Sequence, residues 1–173
     1  MLKDRECLAR YEESMAASEA PSVEELCPAI LSTDGKFPTR GELRSLQIGL
    51  MALLEDGCPT INPEPVHRFA GGVYLRELDI PEGNLVLGKI HKHEHFVILA
   101  EGACRINTDI GMQDIVAPHI WISKPGDQRA LYTYEDCKFL TIHENIKDNR
   151  DIESLEDSLV EQDISGVKYL GEL

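Results

Sequence analysis

Between residues 71 and 143 the chain is cut every few residues by turn signals: Gly71-Gly72, Pro81-Glu82-Gly83, Gly102, Asp109-Ile110-Gly111, Pro118, Lys124-Pro125-Gly126 and Glu135-Asp136. The runs left between them are roughly 5 to 9 residues long, the length of strands and shorter than a typical helix. Short strands joined by tight turns pair with their neighbours, so this punctuation calls for an antiparallel sandwich or barrel. The spacing predicts strands over 73–80, 84–91, 93–101, 103–108, 113–117, 119–123, 128–134 and 137–143.

The flanks read differently. Residues 1–57 carry helical signals: Leu8, Tyr11 and Met15 recur at i, i+3 and i+7, and two capping boxes follow, Ser22 with Glu25 and Thr39 with Glu42. The second box opens a helix with Leu43, Leu46, Leu50 and Leu54 along one stripe and Gly57 as its stop. A stripe of this kind must be buried, either on the outside of the barrel or against a neighbouring subunit. The expectation is a homo-oligomer to which this region contributes. Pro59, Pro63 and Pro65 form a connector, and a last helix over about 150–162 presents Ile152, Leu155 and Leu159. The chain thus divides into a helical extension (1–62), a barrel (63–146) and an acidic helix with a tail (147–173).

Composition removes several function classes. With 42% hydrophobic and 28% charged residues the chain is an ordinary globule and is not disordered as a whole. No apolar run reaches the ~20 residues of a membrane span, and Met1-Leu2-Lys3-Asp4-Arg5-Glu6 lacks a signal-peptide core, which predicts a cytoplasmic protein with no membrane partner. Cysteines 7, 27, 58, 104 and 137 are odd in number and show no CxxC spacing, the pattern of reduced thiols. A net charge of −14 offers no basic footprint for phosphates, so direct nucleic-acid binding is disfavoured.

The chemistry concentrates in His91, His93 and His95, three imidazoles in five residues just before the apolar run Phe96–Ala100. Strand alternation would put all three on one face, and neutral imidazole is the commonest side-chain ligand for metals such as zinc, iron, nickel or manganese. On a straight strand, however, the first and third Cα atoms stand roughly 13 Å apart, too far for one tetrahedral ion. A bend or bulge after His91 would let two of them share a metal with a residue from another strand. His143, closing the apolar strand Phe139–His143, is that residue or else a strand-end surface histidine. Ligation needs neutral imidazoles, so ordinary histidine values predict that metal affinity falls below about pH 6.5.

Gly88, His91-x-His93, the short strand ending at Gly102 and the string Pro125-Gly126-Asp127-Gln128-Arg129 resemble the two motifs of the cupin superfamily. The resemblance implies a mainly β fold, a small antiparallel jelly-roll barrel, with a metal held by two His and a Glu of the first motif and one His of the second. This chain departs from the pattern twice: His95 stands where the Glu is expected, and Arg129 where the second-motif His is expected. Arg129 cannot ligate a metal but can grip a carboxylate or phosphate through a two-toothed fork, which suits a small anionic molecule; the alternative is a surface ion pair with Asp127 or Glu135. Tyr132 and Tyr134 would line the same mouth or fill the wall.

More narrowly, the strings GKIHKHEH and PGDQR, the Tyr134-Glu135-Asp136 turn and Thr141-Ile142-His143 resemble an uncharacterised group of cupin-like proteins encoded by tailed bacteriophages, over about residues 63–163. That likeness centres on His91 and His95 and implies work in the host cytoplasm. Two functional readings follow: a divalent-metal centre that acts on or binds a small anion, and a non-catalytic assembly or host-takeover module that uses the barrel as a scaffold.

Overall fold

A computed structural model describes residues 40–55, 63–108 and 110–161. The helical readings around Leu8–Met15 and Ser22, the stop at Gly57 and the side chain of Leu54 lie outside the described residues. The elements in chain order are helix α1 (Arg40–Glu55), strands β1 (Val66–Ala70), β2 (Gly72–Ile80), β3 (Leu85–Leu87), β4 (His95–Glu101), β5 (Ala103–Thr108), β6 (Gly111–Val116), β7 (His119–Ser123), β8 (Ala130–Thr133) and β9 (Cys137–Asn145), and helix α2 (Ile152–Leu159). The described chain is mainly β, and every strand pair in it is antiparallel.

The strands form a five-stranded sheet, β1-β2-β9-β4-β7, and a four-stranded sheet, β3-β8-β5-β6. Alternation along each strand turns one set of side chains inward. Leu78, Ile80, Val97, Leu99 and Phe139 from the larger sheet meet Cys104, Ile106, Ile115 and Leu131 from the smaller one in a shared core. Cys104 and Cys137, the two described cysteines, are buried in that core as free thiols. The β4–β5 turn requires a glycine twice over: Gly102 has φ +86, and a side chain there would run into the Asp136 carbonyl.

Two departures from the predicted strands shape the site. The run over 84–91 stays in a sheet only to Leu87, and the run over 93–101 begins at His95, so residues 88–94 form an irregular segment between the smaller and the larger sheet. Strand β1 was hidden by the prolines before it; it hairpins onto β2 through Gly71-Gly72, with Ala70 opposite Val73.

Of the two partners open to the leucine stripe, the chain's own smaller sheet supplies one. Leu43 and Leu46 of α1 are buried with Leu87, Met112 and Ala130 on the outer face of the smaller sheet, and Leu50, Leu85 and Tyr132 pack around them. At the other end, the Asp151 side chain caps α2 by accepting from the Ser154 amide, and Leu155 and Leu159 bury against Tyr74. Among the described residues nothing covers the outer face of the larger sheet at β4 and β7: Phe96, Ile120 and Ile122 are exposed there, and Phe96 pairs with Ile122. No described helix is long and apolar enough to cross a membrane.

Candidate metal centre

His95, the first residue of β4, shares the inward face with Val97 and Leu99, and His143 of β9 shares it with Phe139 and Thr141. His91 arrives from the irregular segment, and two sets of backbone bonds fix it. On one side, the Pro125-Gly126-Asp127 turn supplies the Gly126 amide to the His91 carbonyl (2.8 Å) and accepts the His91 amide on the Asp127 carbonyl (3.4 Å). On the other, the Lys92 amide donates to the Leu159 carbonyl (2.8 Å) and the Glu161 amide to the Ile90 carbonyl (2.8 Å), which ties the segment to the end of α2. Clamped in this way, the chain bends back, and the His91 and His95 ring centroids stand only 4.1 Å apart. A straight strand would separate their Cα atoms by roughly 13 Å.

The His95 and His143 rings are 4.4 Å apart and those of His91 and His143 5.6 Å, and the nearest ligand nitrogens of the three lie within 4.8 Å of one another. Nitrogens sharing a tetrahedral ion at normal bond lengths stand roughly 3.3 Å apart, so small rotations of the rings close the set. The His95 Nδ1 lies 3.1 Å from the His93 carbonyl. A carbonyl only accepts, so Nδ1 carries the proton and Nε2 presents its lone pair. His91 Nδ1 is buried and has no hydrogen-bond partner among the described residues. An orphaned imidazole nitrogen beside two further imidazoles fits a metal ion, and a three-histidine donor set leaves a coordination position for a ligand.

The imidazoles are held neutral. Burial, reinforced by the neighbouring His95 and Arg76, pushes His91 down to about 3. Burial, then His95 and His91, takes His143 down to about 2. His95 is also lowered, by burial first and then by Arg129, against the opposing pull of the His93 carbonyl and Asp127. The ligand form is therefore present well below pH 6.5, and proton competition for the site moves down from the value that ordinary histidines predict.

His93 is exposed and outside this cluster, a correction to the one-face reading: strand alternation does not apply across the bend, and β4 begins only at His95. Arg129 faces inward with Leu131 and lines the cavity, but it is already engaged: its Nη2 donates to Asp127 at 2.6 Å and its Nη1 to the Asn107 carbonyl at 3.0 Å. Tyr132, expected at the mouth, is on the opposite face of β8, where it packs towards α1 and meets Tyr134 edge-on; alternation sends it outward because Leu131 points in. Glu94 and Glu101 are exposed, and His119 meets Trp121 at a tilt, with ring centroids 5.7 Å apart.

The cavity beside the histidines has further residues that sequence reasoning missed: Arg76, Lys89, Ser123 and Thr141. Arg76 was detectable, since alternation over β2 puts it in register with the buried Tyr74, Leu78 and Ile80, an odd place for a charge. Its carboxylate partner, Glu156 of α2, stands 3.9 Å away and is also 3.8 Å from Lys89. Behind the triad, Tyr74 stacks on His143, and its hydroxyl is 2.7 Å from His67 Nδ1.

No family model and no curated protein matches the sequence. Among solved structures, the chain is similar to a cupin-2 domain protein of Shewanella frigidimarina (TM-score 0.40, 13% identity, covering 53% of this chain and 89% of that one). It is also similar to a cupin domain from Bordetella pertussis (0.40, 14%, 51% and 99%) and to the polyketide cyclase RemF from Streptomyces resistomycificus (0.38, 18%, 48% and 68%).

Proposed function

We propose that this chain is a cupin-like barrel in which His91, His95 and His143 hold one divalent transition metal, zinc, iron, nickel or manganese, and that the centre binds or acts on a small anionic molecule. The observation that carries this reading is the convergence of the His91, His95 and His143 imidazoles, the first two of which line a cavity. Arg76 and Lys89 approach the Glu156 carboxylate at 3.9 and 3.8 Å, and Arg129 pairs with Asp127 at 2.6 Å. Three neutral ligands leave the charge of a bound dication uncompensated, and in a partly desolvated pocket such an excess favours an anion at the open position. A metal bound there supplies Lewis acidity. The protein's own part is to orient the anion and to keep water from the apolar half of the cavity.

Cobalt(II) titration of chelator-stripped protein tests this reading, because the visible spectrum of cobalt reports both its geometry and its ligands. The expected result is a one-to-one titration to a tetrahedral spectrum that formate then perturbs. A featureless spectrum, or one indifferent to formate, overturns the reading.

A second reading is a phage-encoded, non-catalytic binding module working in the host cytoplasm; the exposed Phe96, Ile120 and Ile122 on the larger sheet support the binding surface of that reading. With the α1 stripe already seated on its own barrel, this open face is the better candidate for homo-oligomer contacts.

A further inference from the structure

Resting on the metal reading above, we propose that α2 is a latch for the metal centre. Lys92 is the positioning residue that locks the C-terminal end of α2 onto the segment carrying His91, so that metal uptake and docking of α2 are one coupled equilibrium. The first observation is what completes the helix. An α-helix leaves its last four carbonyls without partners of its own, and its negative C-terminal end favours a cation. α2 has no basic residue in its last turn. The site supplies one: the Lys92 Nζ donates to the Asp157 carbonyl (2.7 Å) and the Lys92 amide to the Leu159 carbonyl (2.8 Å), so both donors belong to the residue that follows His91. With eight residues, α2 is shorter than the roughly 12–15 at which an isolated helix becomes even marginal in water. It therefore depends on these contacts.

The second observation is how many of the ligands the docked helix supports. His91 pairs with Val160 in an antiparallel bridge, and the Glu161 amide donates to the Ile90 carbonyl (2.8 Å), so the backbone on both sides of His91 is bonded to the end of α2. Leu155, Leu159 and Val160 are buried with Tyr74, whose ring stacks on His143 with centroids 5.9 Å apart. Two of the three histidines thus lean on α2, His91 through its backbone and His143 through Tyr74. His95 is set instead by β4 and by the His93 carbonyl.

These contacts fix the direction of the effect. A metal that draws the His91 ring towards His95 and His143 holds residues 90–92 in the shape that the end of α2 requires, and a docked α2 presents His91 and His143 already together. Linkage makes the two effects equal: the factor by which docking raises metal affinity is the factor by which metal favours docking, typically about 5- to 150-fold. A peptide that captured the Leu155 and Leu159 face of α2 would lower metal affinity by the same route.

The test is amide hydrogen exchange over residues 152–161, read by mass spectrometry in chelator-stripped and zinc-loaded protein. Zinc affinity by calorimetry is measured alongside for the unaltered protein, Lys92→Gln and Lys92→Arg. Zinc is expected to slow exchange over 152–161 by at least about 5-fold. Lys92→Gln should weaken zinc by at least about 5-fold and speed exchange over the same residues, whereas Lys92→Arg, which keeps a cation at the helix end, should retain both properties. If the glutamine variant fails to fold, exchange in the unaltered protein decides alone. One zinc per chain with exchange over 152–161 unchanged, or zinc held as tightly by Lys92→Gln as by the unaltered protein, overturns the latch and leaves the metal reading standing. A protein that takes up no zinc overturns both.

Discussion

Lowering the pH from 7 to 5 should destabilise the metal-free protein by about 4 kcal/mol, through His91 and His143 alone. In the unfolded chain both titrate near 6.5 and are protonated at pH 5; in the folded protein burial and neighbouring positive charge hold them at about 3 and about 2, so they stay neutral. The unfolded state then binds more protons than the native state, and stability falls as pH falls, from about pH 6.5 down towards the folded-state values. Each residue contributes about 1.4 kcal/mol per pH unit in that window, or about 2 kcal/mol by pH 5. His95, lowered as well, acts in the same direction. Stopping at pH 5 keeps the measurement above the range where Glu77, whose carboxyl is held low by Arg68 and Lys138, would take up protons. Urea unfolding of chelator-treated protein at the two pH values, followed by circular dichroism, reads the difference directly. His143→Gln should remove about half of it. Stability that is unchanged or greater at pH 5 would refute the argument, because the three rings could not then be buried together as neutral groups.

Three further outcomes follow from the packing. Leu46→Ala, at the centre of the contact between α1 and the smaller sheet, should cost about 2–5 kcal/mol in urea unfolding, while metal stoichiometry stays unchanged. Arg129→Lys keeps the charge but loses the fork that spans Asp127 and the Asn107 carbonyl, and Asp127 belongs to the turn that holds His91; metal affinity by calorimetry should fall about 10-fold or more, and an unchanged value would dismiss this indirect role. If the open face of the larger sheet joins copies of the chain, Ile120→Glu should convert an oligomer to a monomer in light scattering, and a protein that is monomeric without the substitution removes the proposal.

Much of the fold was legible because turn residues and alternation act locally. Gly102, Gly71-Gly72 and Pro125-Gly126 mark turns by their own backbone chemistry, and the inward faces of β2, β4 and β9 follow from period 2 once the turns are set. The α1 stripe announced a buried face, but its choice between barrel and partner depended on residues far along the chain, Leu87, Met112 and Ala130. The site was half legible. His91, His95 and His143 stand out as residue types, yet their convergence depends on long-range backbone bonds from the Pro125–Asp127 turn and from Leu159 and Glu161, which no local pattern encodes. That bend also removes His93 from the group. Tyr132 was placed in the mouth for lack of a phase: Leu131 turning inward settles it. Lys89 was invisible because it belongs to the irregular segment, and Glu156 because its helix docks against Tyr74 of β2 only through tertiary contacts.

Metal analysis of purified, untagged protein by inductively coupled plasma mass spectrometry, after equilibration with zinc and removal of the excess, tests the central claim most directly. The account predicts one metal ion per chain in the unaltered protein and in His93→Ala, and its loss in His95→Ala and His143→Ala variants that retain the β-sheet circular dichroism of the parent. Metal retained by the His95 and His143 variants, or lost on replacing His93, would contradict it.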